Sequence, residues 1–304
     1  MTSLRQGTIH LFRVAGIDLF LHWSWFLVAA FEISSRARSY SSLTWNVLEY
    51  LSLFLIVMLH EFGHALACRQ VGGTANRIVL WPLGGVAYVS PPPRPGATLW
   101  SIAAGPLVNV VLLPVLIFLS GVSHTLRWAA VMPNAHSLAQ SVLYINIGLL
   151  AFNLLPIYPL DGGQILRSLL WYVVGRARSL MVATIIGFVG VAALIILAVL
   201  MRSAWFGVLA VFILMNCWGG LRQAQALSRL AKLPRREGFA CPSCKTAPPV
   251  GDFWVCGRCQ KRFDTFQSQA VCPHCAAQFA KTKCLDCGDS HPLREWAVSA
   301  FAPL

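Results

Sequence analysis

Residues 51–68, LSLFLIVMLHEFGHALAC, set two imidazoles and a carboxylate inside an apolar run long enough to help cross a membrane. In a helix the i, i+4 spacing of His60 and His64 puts both rings on one face, with Glu61 beside them. H-E-x-x-H at that spacing is the pattern of a zinc hydrolase, in which the imidazoles bind the ion and the carboxylate serves as base. A polar cluster for helix packing or proton relay is the competing reading. Ionisable groups are costly to hold unpaired in lipid, and that cost argues against chance survival of the pattern.

The rest of the chain is equally apolar. Of 304 residues, 57% are hydrophobic and 12% charged, against ~45–50% and ~25% in soluble domains. This balance excludes a disordered, collagenous or nucleic-acid-coating protein. A bilayer core of ~30 Å needs ~20 helical residues, and apolar stretches of about that length lie at 17–35, 45–68, 97–121, 138–158, 179–201 and 204–221. The expected fold is therefore an all-α polytopic membrane protein with six transmembrane helices. The first stretch has no A-x-A-like cleavage site and reads as an uncleaved anchor rather than a signal peptide.

Six crossings put both termini on one side. With that side inside, 11 basic residues of the membrane portion face the cytoplasm and 4 (Arg36, Arg38, Arg127 and Arg202) face outward. The positive-inside rule thus predicts a multi-pass protein of the cell membrane with cytoplasmic N- and C-termini. Residues 76–90, NRIVLWPLGGVAYVS, are too short and too rich in Gly and Pro to cross. They suggest a membrane-associated β-hairpin or re-entrant segment, buried in protein or lining a wet cavity.

A catalytic zinc takes three protein ligands and keeps one position open. Asp161 is the only acidic residue between Glu61 and Glu237, and it lies in NLLPIYPLDGG (153–163), where prolines and glycines break an apolar run. An Asp capping the helix that follows is the plainer reading; uniqueness favours the ligand. His64 precedes Arg69 by five residues and Asp161 precedes Arg167 by six, so each stands ~7–10 Å from a basic side chain at the cytoplasmic face. His22 beside two Trp reads as an interfacial anchor. His124 and His136 read as solvated loop residues, and Cys68 and Cys217 as buried thiols.

The combination HEFGH (60–64), LDGG (160–163), Asn153 eight residues before Asp161, and AGPLVN (104–109) resembles the site-2 protease family of intramembrane zinc metalloproteases. The likeness covers residues 1 to about 221. It implies a six-helix core with the active site toward the cytoplasm, His60, His64 and Asp161 as zinc ligands, Glu61 as base, and Asn153 assisting near the scissile carbonyl. It also implies that Asn109 and the 76–90 segment, with Gly84 and Gly85, lie along the substrate route. The chemistry expected is attack by zinc-activated hydroxide on a peptide carbonyl, with Glu61 moving the proton to the leaving amine. The expected partner is a membrane protein whose transmembrane helix unwinds locally to expose that carbonyl, in the setting of a lipid bilayer. A silent scaffold is the rival reading, and no ligand is missing to support it.

Eight of the ten cysteines form four C-x-x-C pairs after the last span: Cys241/Cys244, Cys256/Cys259, Cys272/Cys275 and Cys284/Cys287. On the cytoplasmic side such spacing reads as metal binding, and eight thiolates make two closed structural zinc sites. The expected domains are a 1–221 membrane metalloprotease domain, a 222–240 linker and a 241–304 tail of two zinc-ribbon modules. Sequential pairing is expected, Cys241, Cys244, Cys256 and Cys259 in one module and Cys272, Cys275, Cys284 and Cys287 in the other, because it closes only short loops. The zinc expected is one catalytic and two structural ions. Two thiolate sites lower the tail's charge from +3 to about −1, so nucleic acid is not an expected partner. A protein partner or regulatory contact for the tail is.

Overall fold

The computed structural model describes residues 7–36, 39–81 and 86–298; Gly84 and Gly85 lie outside the described residues. The chain divides into two compact units. One holds the chain through Gly175 together with Ser179–Leu221; the other holds Arg176–Arg178 and the chain from Arg222.

Five helices of the described residues are long and apolar enough to cross a bilayer: α2 (Leu43–Gln70), α3 (Pro95–Thr125), α5 (Pro133–Asn153), α7 (Arg176–Leu200) and α8 (Ala204–Ala231). The shorter helices are α1 (Trp25–Ser35), α4 (Trp128–Val131) and α6 (Asp161–Val174). The sixth predicted helix, over 17–35, is not there. Its first part is a strand, β2 (Ile17–His22), and only the 11 residues of α1 are helical. The reason lies in the periodicity. Ile17 and Leu19 are fully enclosed while Asp18 between them and Phe20 after them are partly exposed, which is the alternation of a strand rather than the stripe of a helix.

Strand backbone at membrane depth must be paired. β2 runs antiparallel to β1 (Thr8–Val14) on one side and parallel to β3 (Thr74–Leu80) on the other. β3 in turn pairs antiparallel with β4 (Val86–Ser90), Thr74 facing Ser90. The expected hairpin is therefore present, extended to a four-stranded sheet in the order β1-β2-β3-β4. Ile17, Leu19, Ile78 and Leu80 pack with Trp25, Ala65 and Cys68, tying the sheet to α1 and to the half of α2 that carries HEFGH.

Helix α3 packs against α2, α5 and α6. A Cβ on Gly63 would come within 2.7 Å of the Ala104 carbonyl, so α2 and α3 approach backbone to backbone beside the two histidines. The 154–160 segment folds under α6 in the same way: a Cβ on Gly162 or Gly163 would run into the carbonyls of Leu154 and Ile157. Tyr158 is held from the far side by α7 and α8, where Gly187 and Gly220 leave it room and the Cys217 thiol donates to its carbonyl over 3.1 Å.

In the second unit, residues 222–231 are the last residues of α8. Four C-x-x-C turns follow, and all four close in one way. The backbone N–H four residues after the first Cys donates to that Cys carbonyl, and the first Cys N–H donates to the carbonyl five residues on. The residue after each second Cys, Lys245, Gln260, Ala276 or Gly288, takes positive φ to complete the turn. Two short hairpins, β5 (Trp254–Val255) with β6 (Arg262–Phe263) and β7 (Thr282–Lys283) with β8 (Ser290–His291), have the second and fourth of these turns at their tips. Their aromatic side chains share one core, in which Phe266 touches Phe239, Trp254 and the fully buried Trp296.

Candidate active site

His60, Glu61 and His64 are each about 6% exposed on α2. Asp161, the first residue of α6, points its carboxylate at both rings: Oδ2 lies 3.0 Å from His60 Nε2 and 3.4 Å from His64 Nε2, and the two Nε2 atoms are 3.1 Å apart. Its side chain makes no cap on α6, so the capping alternative does not describe it.

The opposite edges of the rings are already engaged. His60 Nδ1 lies 2.7 Å from Asn109 Oδ1, and His64 Nδ1 lies 2.9 Å from the Ser101 carbonyl. Both partners are acceptors, so both Nδ1 atoms carry the hydrogen and, with the rings neutral, both Nε2 atoms present lone pairs. Asp161 Oδ2 is buried and receives no hydrogen bond. Three acceptors therefore face one another across little more than 3 Å, an arrangement that is repulsive without a cation between them. Tetrahedral zinc with bonds of ~2.0–2.1 Å has ligand separations of about 3.4 Å, close to the triangle observed. A fourth group is within reach, since ligand atoms of His60, Glu61 and His64 lie within 4.8 Å of one another.

Space for an ion comes from Gly105 on α3. A Cβ there would collide with His64 Nε2 and stand 2.8 Å from His60 Nε2. The next residue, Pro106, has no N–H for the Ile102 carbonyl, which interrupts the helix ladder beside the Ser101 carbonyl that His64 uses.

Asn109, expected along the substrate route, is fully buried, and its Oδ1 lies against His60 Nδ1. Asn146 on α5, which the sequence reading did not single out, bonds to it through both ends of its amide. Asn153 closes α5, half-buried, and its side chain makes no hydrogen bond among the described residues. His22 is buried, stacked 3.9 Å from Trp81. His124 and His136 are not simply solvated: their rings meet at 4.8 Å within a network that includes Ser123 and Gln140.

The tail cysteines gather into two groups, and the pairing is nested rather than sequential. Cys241 and Cys244 join Cys284 and Cys287, while Cys256 and Cys259 join Cys272 and Cys275. Sγ separations are 3.6 Å (Cys241–Cys287 and Cys256–Cys275), 3.8 Å (Cys244–Cys284) and 3.7 Å (Cys259–Cys272). Disulfides need about 2.05 Å, whereas zinc with Zn–S bonds of ~2.3 Å sets sulfurs about 3.8 Å apart. Loop entropy does not decide the order. Closing the 39 residues between Cys244 and Cys284 instead of the 11 between Cys244 and Cys256 costs only about 1 kcal/mol more. Burying one Trp, at ~150–250 Å² and ~25 cal/mol/Å², outweighs that. Nesting is what brings Trp296 back to the start of the tail, where its carbonyl accepts from Ala240 N at 2.8 Å. His274 and His291 belong to neither group; His291 Nε2 bonds Ser243 Oγ instead.

Known proteins share the membrane part. The model of Peptidase M50B-like proteins matches residues 35–156, and that of Peptidase family M50 matches residues 119–197. A zinc metalloprotease of Methanocaldococcus jannaschii is 34% identical over 180 residues, 59% of this chain and 50% of that protein. A putative zinc metalloprotease of Synechocystis is 27% identical over 246 residues, 75% of this chain and 62% of that one. The chain thus spans between half and two thirds of the length of these relatives. The solved site-2 protease from Methanocaldococcus jannaschii superimposes with a TM-score of 0.51 at 27% identity, over 70% of this chain and 95% of that one. Matching M50 family models, zinc metalloprotease relatives, a shared fold and a buried His-His-Asp cluster on an H-E-x-x-H helix together support the site-2 protease family for the membrane part of this chain.

Proposed function

We propose that this protein is an intramembrane zinc endopeptidase that hydrolyses peptide bonds within or near transmembrane segments of other membrane proteins. The observation that carries the reading is the convergence of His60 Nε2, His64 Nε2 and Asp161 Oδ2 as three buried acceptors with both Nδ1 hydrogens already committed elsewhere. These three residues hold the catalytic zinc, which when bound supplies a Lewis acid and a water acidified toward a pKa of ~7. The Glu61 carboxylate takes the proton from the attacking water and returns it to the leaving amine nitrogen. The Asn153 amide steadies the scissile carbonyl.

A helical substrate must open before its carbonyl is available, and an opened strand needs main-chain partners. β4 ends the sheet of the described residues, and its outer edge can pair with such a strand; Gly84 and Gly85 are assigned to the same substrate route by the family resemblance alone. The eight tail cysteines hold two structural zinc ions, a reading supported by their Sγ separations. Both termini are cytoplasmic, on the strength of the 11 to 4 division of basic residues. The tail meets a protein partner or regulates entry there.

The test is cleavage of a single-span model substrate by the purified, zinc-loaded protein. Glu61→Gln should keep its membrane-site zinc and lose at least ~10²–10⁴-fold in rate. Undiminished cleavage by Glu61→Gln would reject the base, and undiminished cleavage by Asp161→Ala would reject the zinc site.

A further inference from the structure

Behind His60 stand two fully buried amides, Asn109 on α3 and Asn146 on α5. Asn146 Nδ2 lies 3.0 Å from the backbone carbonyl of Asn109, and Asn109 Nδ2 lies 2.8 Å from Asn146 Oδ1. A backbone carbonyl only accepts, so Asn146 must turn its NH₂ toward it, which leaves Asn146 Oδ1 facing the Asn109 side chain. Asn109 must then offer its own NH₂ to that oxygen, which leaves Asn109 Oδ1 for His60. Flipping either amide sets oxygen against oxygen or N–H against N–H, so each has a single orientation.

The imidazole is the last member of this relay. An accepting oxygen 2.7 Å from Nδ1 requires the hydrogen on Nδ1, and in the neutral ring that a metal ligand must be this puts the lone pair on Nε2, the atom 3.0 Å from Asp161 Oδ2. We infer that Asn146 is a positioning residue: acting through Asn109, it selects the Nδ1–H tautomer of His60 and keeps Nε2 available to the metal. The inference rests on the zinc site proposed above. His64 needs no such relay, because its Nδ1 donates to a main-chain carbonyl, Ser101 O, whose polarity cannot reverse. One ligand is thus oriented by backbone, and the other by a pair of amides whose sense is set one residue further out. Without Asn146, Asn109 can flip its NH₂ toward His60 and favour the Nε2–H tautomer, which cannot ligate through Nε2.

Zinc affinity of the full-length protein in detergent, measured by chelator competition, tests this. The membrane-site ion is identified as the one lost in His60→Ala. Asn146→Leu should weaken that site ~10–100-fold, the usual effect of losing a partner that orients a ligand. The double variant Asn109→Asp/Asn146→Leu should regain most of the affinity, because a carboxylate accepts from Nδ1–H in either orientation. That recovery also reports that the leucine is accommodated, and Asn146→Ala provides the same comparison with a smaller side chain. Wild-type affinity in either folded single variant, or no recovery in the folded double variant, overturns the relay alone. A wild-type protein with no zinc beyond that of the cysteine tail overturns the site reading and the relay with it.

Discussion

His60 and His64 stand one helical turn apart, yet Asp161 lies 97 residues further on, and the groups that aim the rings come from α3 and α5. Each C-x-x-C turn of the tail closes its own backbone bonds within six residues and offers both sulfurs from that one turn. The membrane cluster is therefore a product of helix packing. In the tail, ligand pairs are local and only their association is distant. The donor sets differ in the same sense. Four thiolates close a tetrahedron and leave nothing to react, whereas two imidazoles and a carboxylate leave a position open beside Glu61.

The largest effect expected from this contrast is on metal removal. Metal binding supplies ~10–16 kcal/mol in small structural zinc domains, and the tail's core is too small to replace it. Chelation should make the chain beyond Arg236 sensitive to protease while the helical circular dichroism of the membrane unit persists. Loss of both together would mean that the two regions do not differ in how they depend on metal.

A second experiment sharpens the comparison by testing which turns associate. Cys241→Ser/Cys287→Ser removes two ligands from one nested site and should lower the zinc content by one ion. Sequential pairing, in which these residues belong to different sites, predicts the loss of two.

The third, and in total stability the smallest, uses two glycines of α3. Gly105→Ala should abolish zinc binding at the membrane site and leave tail zinc intact, because the new Cβ occupies space between the imidazoles. Gly121 has nothing within 4 Å of its Cβ position. Gly121→Ala should keep all zinc and raise helix stability by up to about 1 kcal/mol, read as a small upward shift of the thermal midpoint. Equal zinc loss in both variants would show that α3 tolerates no change, and that Gly105 has no specific place at the site.

Much of this site could be read without a structure because its chemistry is expensive in its setting. His60 and His64 are legible from i, i+4 spacing, and Asp161 from being the lone acid in a long apolar region. Asn109 was visible only as part of a motif, and its hydrogen bond to His60 depends on a contact between α2 and α3. Asn146 and Gly105 carry no signal of their own. An Asn in an apolar helix and a Gly before a Pro have many uses, and theirs appear only when three helices meet.

The first span and the cysteine pairing show the same division. Composition alone determined that residues 17–35 are apolar and span-length; whether they formed helix or strand was decided by the partners β1 and β3, one of which lies beyond α2. The four C-x-x-C turns were determined locally, by ligand spacing and by a residue able to take positive φ after each pair. Which turns come together was decided by the core around Phe266 and Trp296, because burying those rings outweighs the small entropy difference between short and long loops. Ligand identity and local geometry are short-range properties of the chain. Pairing, tautomer and the space for an ion belong to surfaces that exist only once distant segments have packed.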